Sequence, residues 1–181
     1  AAKAGKPDPI TGKTADPKWS AVFLIPERDT DALNVVQGAM WAVAQAKWAD
    51  KAGVIWQSLQ ASHKLALKSG ATKADQDGFL GHYFVSGGNG VAKPPTLLSS
   101  FAGPDGAPAV LPRPQAMIYS GCYVNVQLDF WPQDNDHGKR INCEIKVVQF
   151  ASDGQAFGGG AAADTSVFSA VQAPMGAPAG V

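Results

Sequence analysis

The chain has 181 residues, with 15 Lys/Arg balanced by 15 Asp/Glu and three His, and 45% hydrophobic against 17% charged residues is ordinary for a globular protein. One domain with appendages and a sizeable core is expected at this length, and no apolar run approaches the ~18 residues that a membrane span needs. A net charge of zero counts against the basic footprint usual for nucleic-acid binding, but the signs are unevenly spread, with ten Lys/Arg against six Asp/Glu in residues 1–73 and five against seven in residues 74–150.

Residues 1–17 are rich in Lys, Pro, Gly and Asp and read as a flexible arm. Lys18 to Ile25 reads as a strand, apolar on both faces and ended by Pro26. A helix follows from Thr30 to Asp50, capped by Asp29 or Thr30, with Leu33, Val36, Met40 and Val43 as its core stripe. Trp41 and Trp48 lie seven apart on a second face, where they either pack against protein or stack on bases.

Val54 to Lys68 is ambiguous, with Gln57 to Ser69 leaning helical, and His63, Lys64, Lys68 and Lys73 form a cationic patch that is either a solvated face or a phosphate contact. Gly78 to Ser86 returns to strand, with Tyr83 on the face opposite His82 and Phe84. Residues 87–114 carry Gly, Pro and Ser without a sustained period and read as a long loop whose cations are Lys93 and Arg113.

The most structured stretch is a β-hairpin. Ile118, Cys122, Val124, Val126, Leu128 and Phe130 alternate with Tyr119, Tyr123, Asn125, Gln127, Asp129 and Trp131. Ile141, Cys143, Ile145 and Val147 alternate likewise in the second arm. Pairing Phe130 with Ile141, Leu128 with Cys143 and Val126 with Ile145 keeps the apolar residues on one side. The other face would set Trp131 beside Arg140 and Asn125 beside Lys146, with Tyr123 and Tyr119 beyond. Rings interleaved with cations suit stacked bases and a phosphate backbone. Gly158 to Gly160 would end the domain, leaving residues 161–181 as a low-complexity Ala/Gly/Pro tail.

The run Y-S-G-C-Y-V, then D-F-W, D-N-D-x-G-K, V-Q-F and D-G-x-x-F-G-G-G, resembles a family of bacteriophage single-stranded-DNA-binding proteins. K-W-S-A-V-F-L-I-P and G-H-Y-F-V fit it as well, so the resemblance spans about Lys18 to Gly160. It implies an OB-fold that coats single strands during phage replication in the cytoplasm of an infected bacterium, with replication proteins as partners and a monomer or homodimer as the assembly. Many such proteins end in an acidic tail, whereas here Asp164 is the one acid after Asp153.

Other chemistry finds little support. Asp134, Asp136 and His137 lack the further oxygen ligands and distal Glu of a calcium loop and read as a turn. Cys122, Cys143 and the histidines fit no zinc spacing, and both cysteines sit on apolar faces as reduced thiols. Ser86 to Gly90 lacks the G-K-[ST] ending of a P-loop. No enzyme, cofactor, metal or membrane partner is expected.

The reading is therefore a mainly β, five-stranded OB-like barrel with one principal helix over residues 18–160, binding single-stranded DNA without sequence preference. Trp131, Tyr123 and Tyr119 would stack bases; Lys139, Arg140 and Lys146 would track phosphates, with Tyr83 and Lys93 as further contacts. The same aromatic face would also suit subunit contacts in a virion β-sandwich protein, and an RNA-binding OB module would differ only in ligand.

Overall fold

The computed structural model describes residues 16–113 and 117–157. Most of the expected N-terminal arm, the glycine run 158–160 and the tail 161–181 lie outside the described residues. Seven strands and two α-helices run in the order β1 (Lys18–Pro26), α1 (Thr30–Trp48), α2 (Ala52–Ala61), β2 (Leu67–Ser69), β3 (His82–Gly90), β4 (Thr96–Ala102), β5 (Pro108–Val110), β6 (Tyr123–Asn135) and β7 (Gly138–Ser152). Among the described residues no helix is long and apolar enough to cross a membrane.

The architecture is mainly β with one principal helix, as expected, but the strands do not close into a five-stranded barrel. They form two open sheets, ordered β1-β3-β2 and β5-β4-β7-β6, with β4 and β7 parallel and every other pair antiparallel. The sheets meet where β3 crosses β7. A Cβ on Gly87 would come within 2.6 Å of the Ile145 side chain, so only glycine permits this approach. Asn89 then bonds through its side chain to the Ile145 backbone. Strands β4 and β5 occupy what reads in sequence as a structureless loop, and β3 itself runs on to Gly90.

Asp29 caps α1 by accepting the Ala32 N–H at 3.1 Å. The helix buries Leu33, Met40, Ala44 and Trp48, with Val36 and Val43 half-buried beside them. Both tryptophans in question pack against protein. Trp41 meets Trp56 edge-on at 5.4 Å, and Trp48 is buried and donates its indole N–H to Asp134 at 2.8 Å. Leu59, Leu65, Leu67, Val85, Phe130, Ile141 and Cys143 complete the core. At the end of α2, Lys64 N–H donates to the Leu59 carbonyl and His63 N–H to that of Gln60, while His63 itself adopts a left-handed φ of 53°.

The β6–β7 hairpin forms, but two residues out of the expected register. Phe130 pairs with Cys143 and Leu128 with Ile145, because the turn is centred on Asp136 and His137. Asn135 Oδ1 accepts the His137 N–H at 3.0 Å, and Gly138 closes the turn at φ 89°. Bulges at Gln127/Leu128 and Tyr123/Val124 break the alternation further on, so Val148 and Phe150 are buried in place of their odd-numbered neighbours. The first arm begins at Tyr123, so Ile118 and Tyr119 precede the strand.

Candidate nucleic-acid interface

A groove of about 960 Å³ runs between the β1–β3 sheet and the hairpin. The register of β1 against β3 sets Lys18 opposite Gly90, Ser20 opposite Gly88 and Val22 opposite Ser86, so these six share one sheet face, and all six line the groove. The intervening Val85, Gly87 and Asn89 are buried. The β3 part of this floor, Ser86, Gly88 and Gly90, thus consists of small residues. Lys68 on β2, the turn residues His63 and Lys64, and Trp131, Arg140 and Asn142 of the hairpin supply the remaining functional lining.

The charges around this groove segregate. Lys18, Lys64, Lys68 and Arg140 line it with a single acid, Asp16, and none of the four cations has an ion pair among the described residues. Among the described residues Arg140 Nε is buried without a hydrogen-bond partner, an unusual state for a guanidinium nitrogen. Lys64 is held next to it: its carbonyl accepts the Ile141 N–H at 3.1 Å, and its amino group lies 3.5 Å from where a Gly138 Cβ would stand. Trp131 is 45% exposed on the same lining. A neutral chain therefore presents a locally cationic groove beside an accessible indole, suited to a phosphate-bearing strand with exposed bases.

Two of the eight residues singled out from sequence, Trp131 and Arg140, lie in this groove. They are not directly opposed, since Trp131 pairs with Asn142 and Arg140 with Gln133. Lys139 and Lys146 are already neutralised. Lys139 pairs with Asp134, whose carboxyl is held below its usual range by that bond first and by Trp48 second. Lys146 pairs with Glu144 at 2.8 Å and Asp129 at 3.4 Å, and faces Asn125 no longer, because Asn125 pairs with Gln149.

The tyrosines also lie off the lining. Tyr119 is fixed by its hydroxyl, which donates to Asp153 or the Gly154 carbonyl at 3.0 Å and accepts the Gly154 N–H at 3.1 Å. Tyr123 is exposed at the start of β6, and Tyr83 packs against the core. Lys93 sits in the turn after β3, its N–H donating to the Gly90 carbonyl. Of the patch His63, Lys64, Lys68 and Lys73, the first three reach the groove, while Lys73 lies over the rings of Phe79 and Phe84. Lys18 and the Ser86–Gly90 strip carried no functional signal in the sequence.

Known proteins resemble this chain in sequence and in fold. A family model described as the single-stranded-DNA-binding protein of Enterobacter phage Enc34 matches residues 5–175. Protein p50 of Acyrthosiphon pisum secondary endosymbiont phage 1 is 32% identical over 168 residues, covering 90% of this chain and 84% of that protein. The fold is similar to that of the single-stranded DNA-binding protein from bacteriophage Enc34 in complex with ssDNA, with a TM-score of 0.60 and 22% identity over 80% of this chain and 76% of that one. A second structure of the Enc34 protein gives a TM-score of 0.58 and 23% identity, covering 84% and 78%. With the family model spanning nearly the whole sequence, this chain belongs to the Enc34-type family of phage single-stranded-DNA-binding proteins.

Proposed function

We propose that the chain binds single-stranded DNA along the groove between β3 and the hairpin, without sequence preference. The observation that carries this reading is the cation set of Arg140, Lys64, Lys68 and Lys18, without ion pairs among the described residues, beside exposed Trp131, in a protein whose other hairpin cations are neutralised. Trp131 stacks a base, and the four cations follow the phosphates. Each stacked base is worth ~1–3 kcal/mol. We read the activity as the coating of single strands during phage DNA replication and recombination in the host cytoplasm, alongside replication proteins, a reading that family membership supports.

The test is fluorescence anisotropy with labelled oligo-dT of about 30 nucleotides, long enough to exceed one site, compared with duplex DNA and oligo-U at two salt concentrations. Tight binding to the DNA single strand that weakens steeply with salt is expected, with a slope of ~0.7 per phosphate contact. Trp131→Ala should weaken it at least several-fold. Absence of binding at low salt would overturn the proposal. Sedimentation in the same buffers separates monomer from homodimer.

A further inference from the structure

His63 ends α2 in the left-handed region, at φ 53°, the position after a helix that glycine occupies without penalty from a Cβ. Among the described residues only Ala49 and His63 combine a side chain with a positive φ. Ala49 carries a methyl group and does not line the groove; His63 carries an imidazole and does. That ring makes no hydrogen bond, ion pair or ring contact among the described residues, so none of these compensates for placing it there. It is exposed on the groove lining, next in sequence to Lys64 and on the same lining as Arg140 and Trp131. A side chain set at a strained position, with no partner among the described residues, points to a role outside the fold.

We infer that His63 contacts the bound strand, its ring packing on a nucleotide base. The inference rests on the single-stranded-DNA reading of the groove. Trp131 enters from the hairpin and His63 from the α2–β2 turn, so bases would meet rings supplied by both the hairpin and the helical layer. Imidazole is one of the ring types on which unstacked bases settle.

The test separates strain from contact, because the two move in opposite directions when glycine replaces histidine. His63→Gly should melt at the wild-type temperature or up to about 3 °C above it, since the left-handed position is relieved. Its affinity for oligo-dT should nevertheless fall on the order of five- to tenfold. His63→Asn, which tolerates the same backbone but lacks the ring, should lose a similar factor. His63→Tyr, which keeps a stacking surface, should retain most of the wild-type affinity. Wild-type affinity in His63→Gly would overturn the inference and leave His63 as a helix terminator. Failure of the wild-type control to bind any single strand would instead overturn the groove reading, and this inference with it.

Discussion

The side-chain amide of Asn89 does for Ile145 what a neighbouring strand would do. Its Nδ2 donates to the Ile145 carbonyl at 2.8 Å and its Oδ1 accepts the Ile145 N–H at 2.9 Å. Nδ2 also donates to the Lys93 carbonyl at 3.0 Å, which fixes the turn after β3. The two sheets are thus joined through a side chain at the point where a closed barrel would use a backbone ladder.

Asn89→Ala should therefore be among the more damaging single changes. Ile145 is 1% exposed and Asn89 6%, so both backbone groups would be left unpaired away from water. A loss of about 2–4 kcal/mol is expected, read as a lower urea midpoint. Asn89→Asp should recover little of it, because a carboxylate keeps the acceptor but loses the donor.

The hairpin cations should divide by whether they are already paired. Arg140→Ala should weaken oligo-dT binding on the order of tenfold and reduce the salt slope by ~0.7. Lys139→Ala and Lys146→Ala should leave the slope nearly unchanged, since Asp134, Glu144 and Asp129 hold those amines. Equal slope losses at all three positions would move the strand's path onto the outer face of the hairpin.

Gly90 offers a probe of the groove that leaves the fold alone. A Cβ there meets nothing within 4 Å, and its backbone is not in the left-handed region. Gly90→Glu should melt within about 2 °C of wild type, as surface substitutions generally do. It adds a second acid to a groove lined with cations, so binding at low salt should fall at least about tenfold. Gly87→Ala should do the reverse, destabilising the fold by about 1–3 kcal/mol through its clash with Ile145.

Cys143 should be chemically silent in the native protein. Burial, with Asp129 and Glu144 adding to it, pushes its thiol up to about 12, which leaves very little thiolate near neutral pH. Ellman's reagent at pH 8 should count one thiol fewer in the native protein than in urea. Equal counts would mean that β7 opens readily.

Acid should act partly through the tip of the hairpin. Lys139 and then Trp48 hold the Asp134 carboxyl below the usual range near 4. A depressed carboxyl contributes stability above its unfolded pKa and loses it as pH falls through the folded one. Trp48→Phe should lower stability at neutral pH and flatten its decline below about pH 4, measured by thermal melts across the acid range.

Much of the framework was legible in the sequence because it is periodic or punctuated. Pro26 and Asp29 mark the end of β1 and the start of α1, and the parity of Phe130 against Cys143 kept the hairpin core on one side even though its register was two residues out. The register depended on where Gly138 closes the turn, which alternation alone does not reveal. Strands β2 and β5 have three residues each, too few to establish a period. Gly87 to Gly90 read as loop because the residues are small, a property that instead lets β3 cross β7 and form a groove floor. The site was legible in Trp131 and Arg140 but not in Lys18, which reaches the same lining only because β1 pairs with β3 across a separation of about 70 residues.

The hairpin closes across a short local turn, whereas Asn89 and Ile145 lie 56 residues apart. Hairpins form in about 1–10 μs, and distant pairings come later because their loops must first close. The groove, with β3 as its floor and the hairpin as a wall, therefore comes into being only with that late docking. A ligand spanning floor and wall draws on the same equilibrium as the Asn89 amide, so occupancy should slow the parting of the two sheets and protect the Ile145 amide from hydrogen exchange.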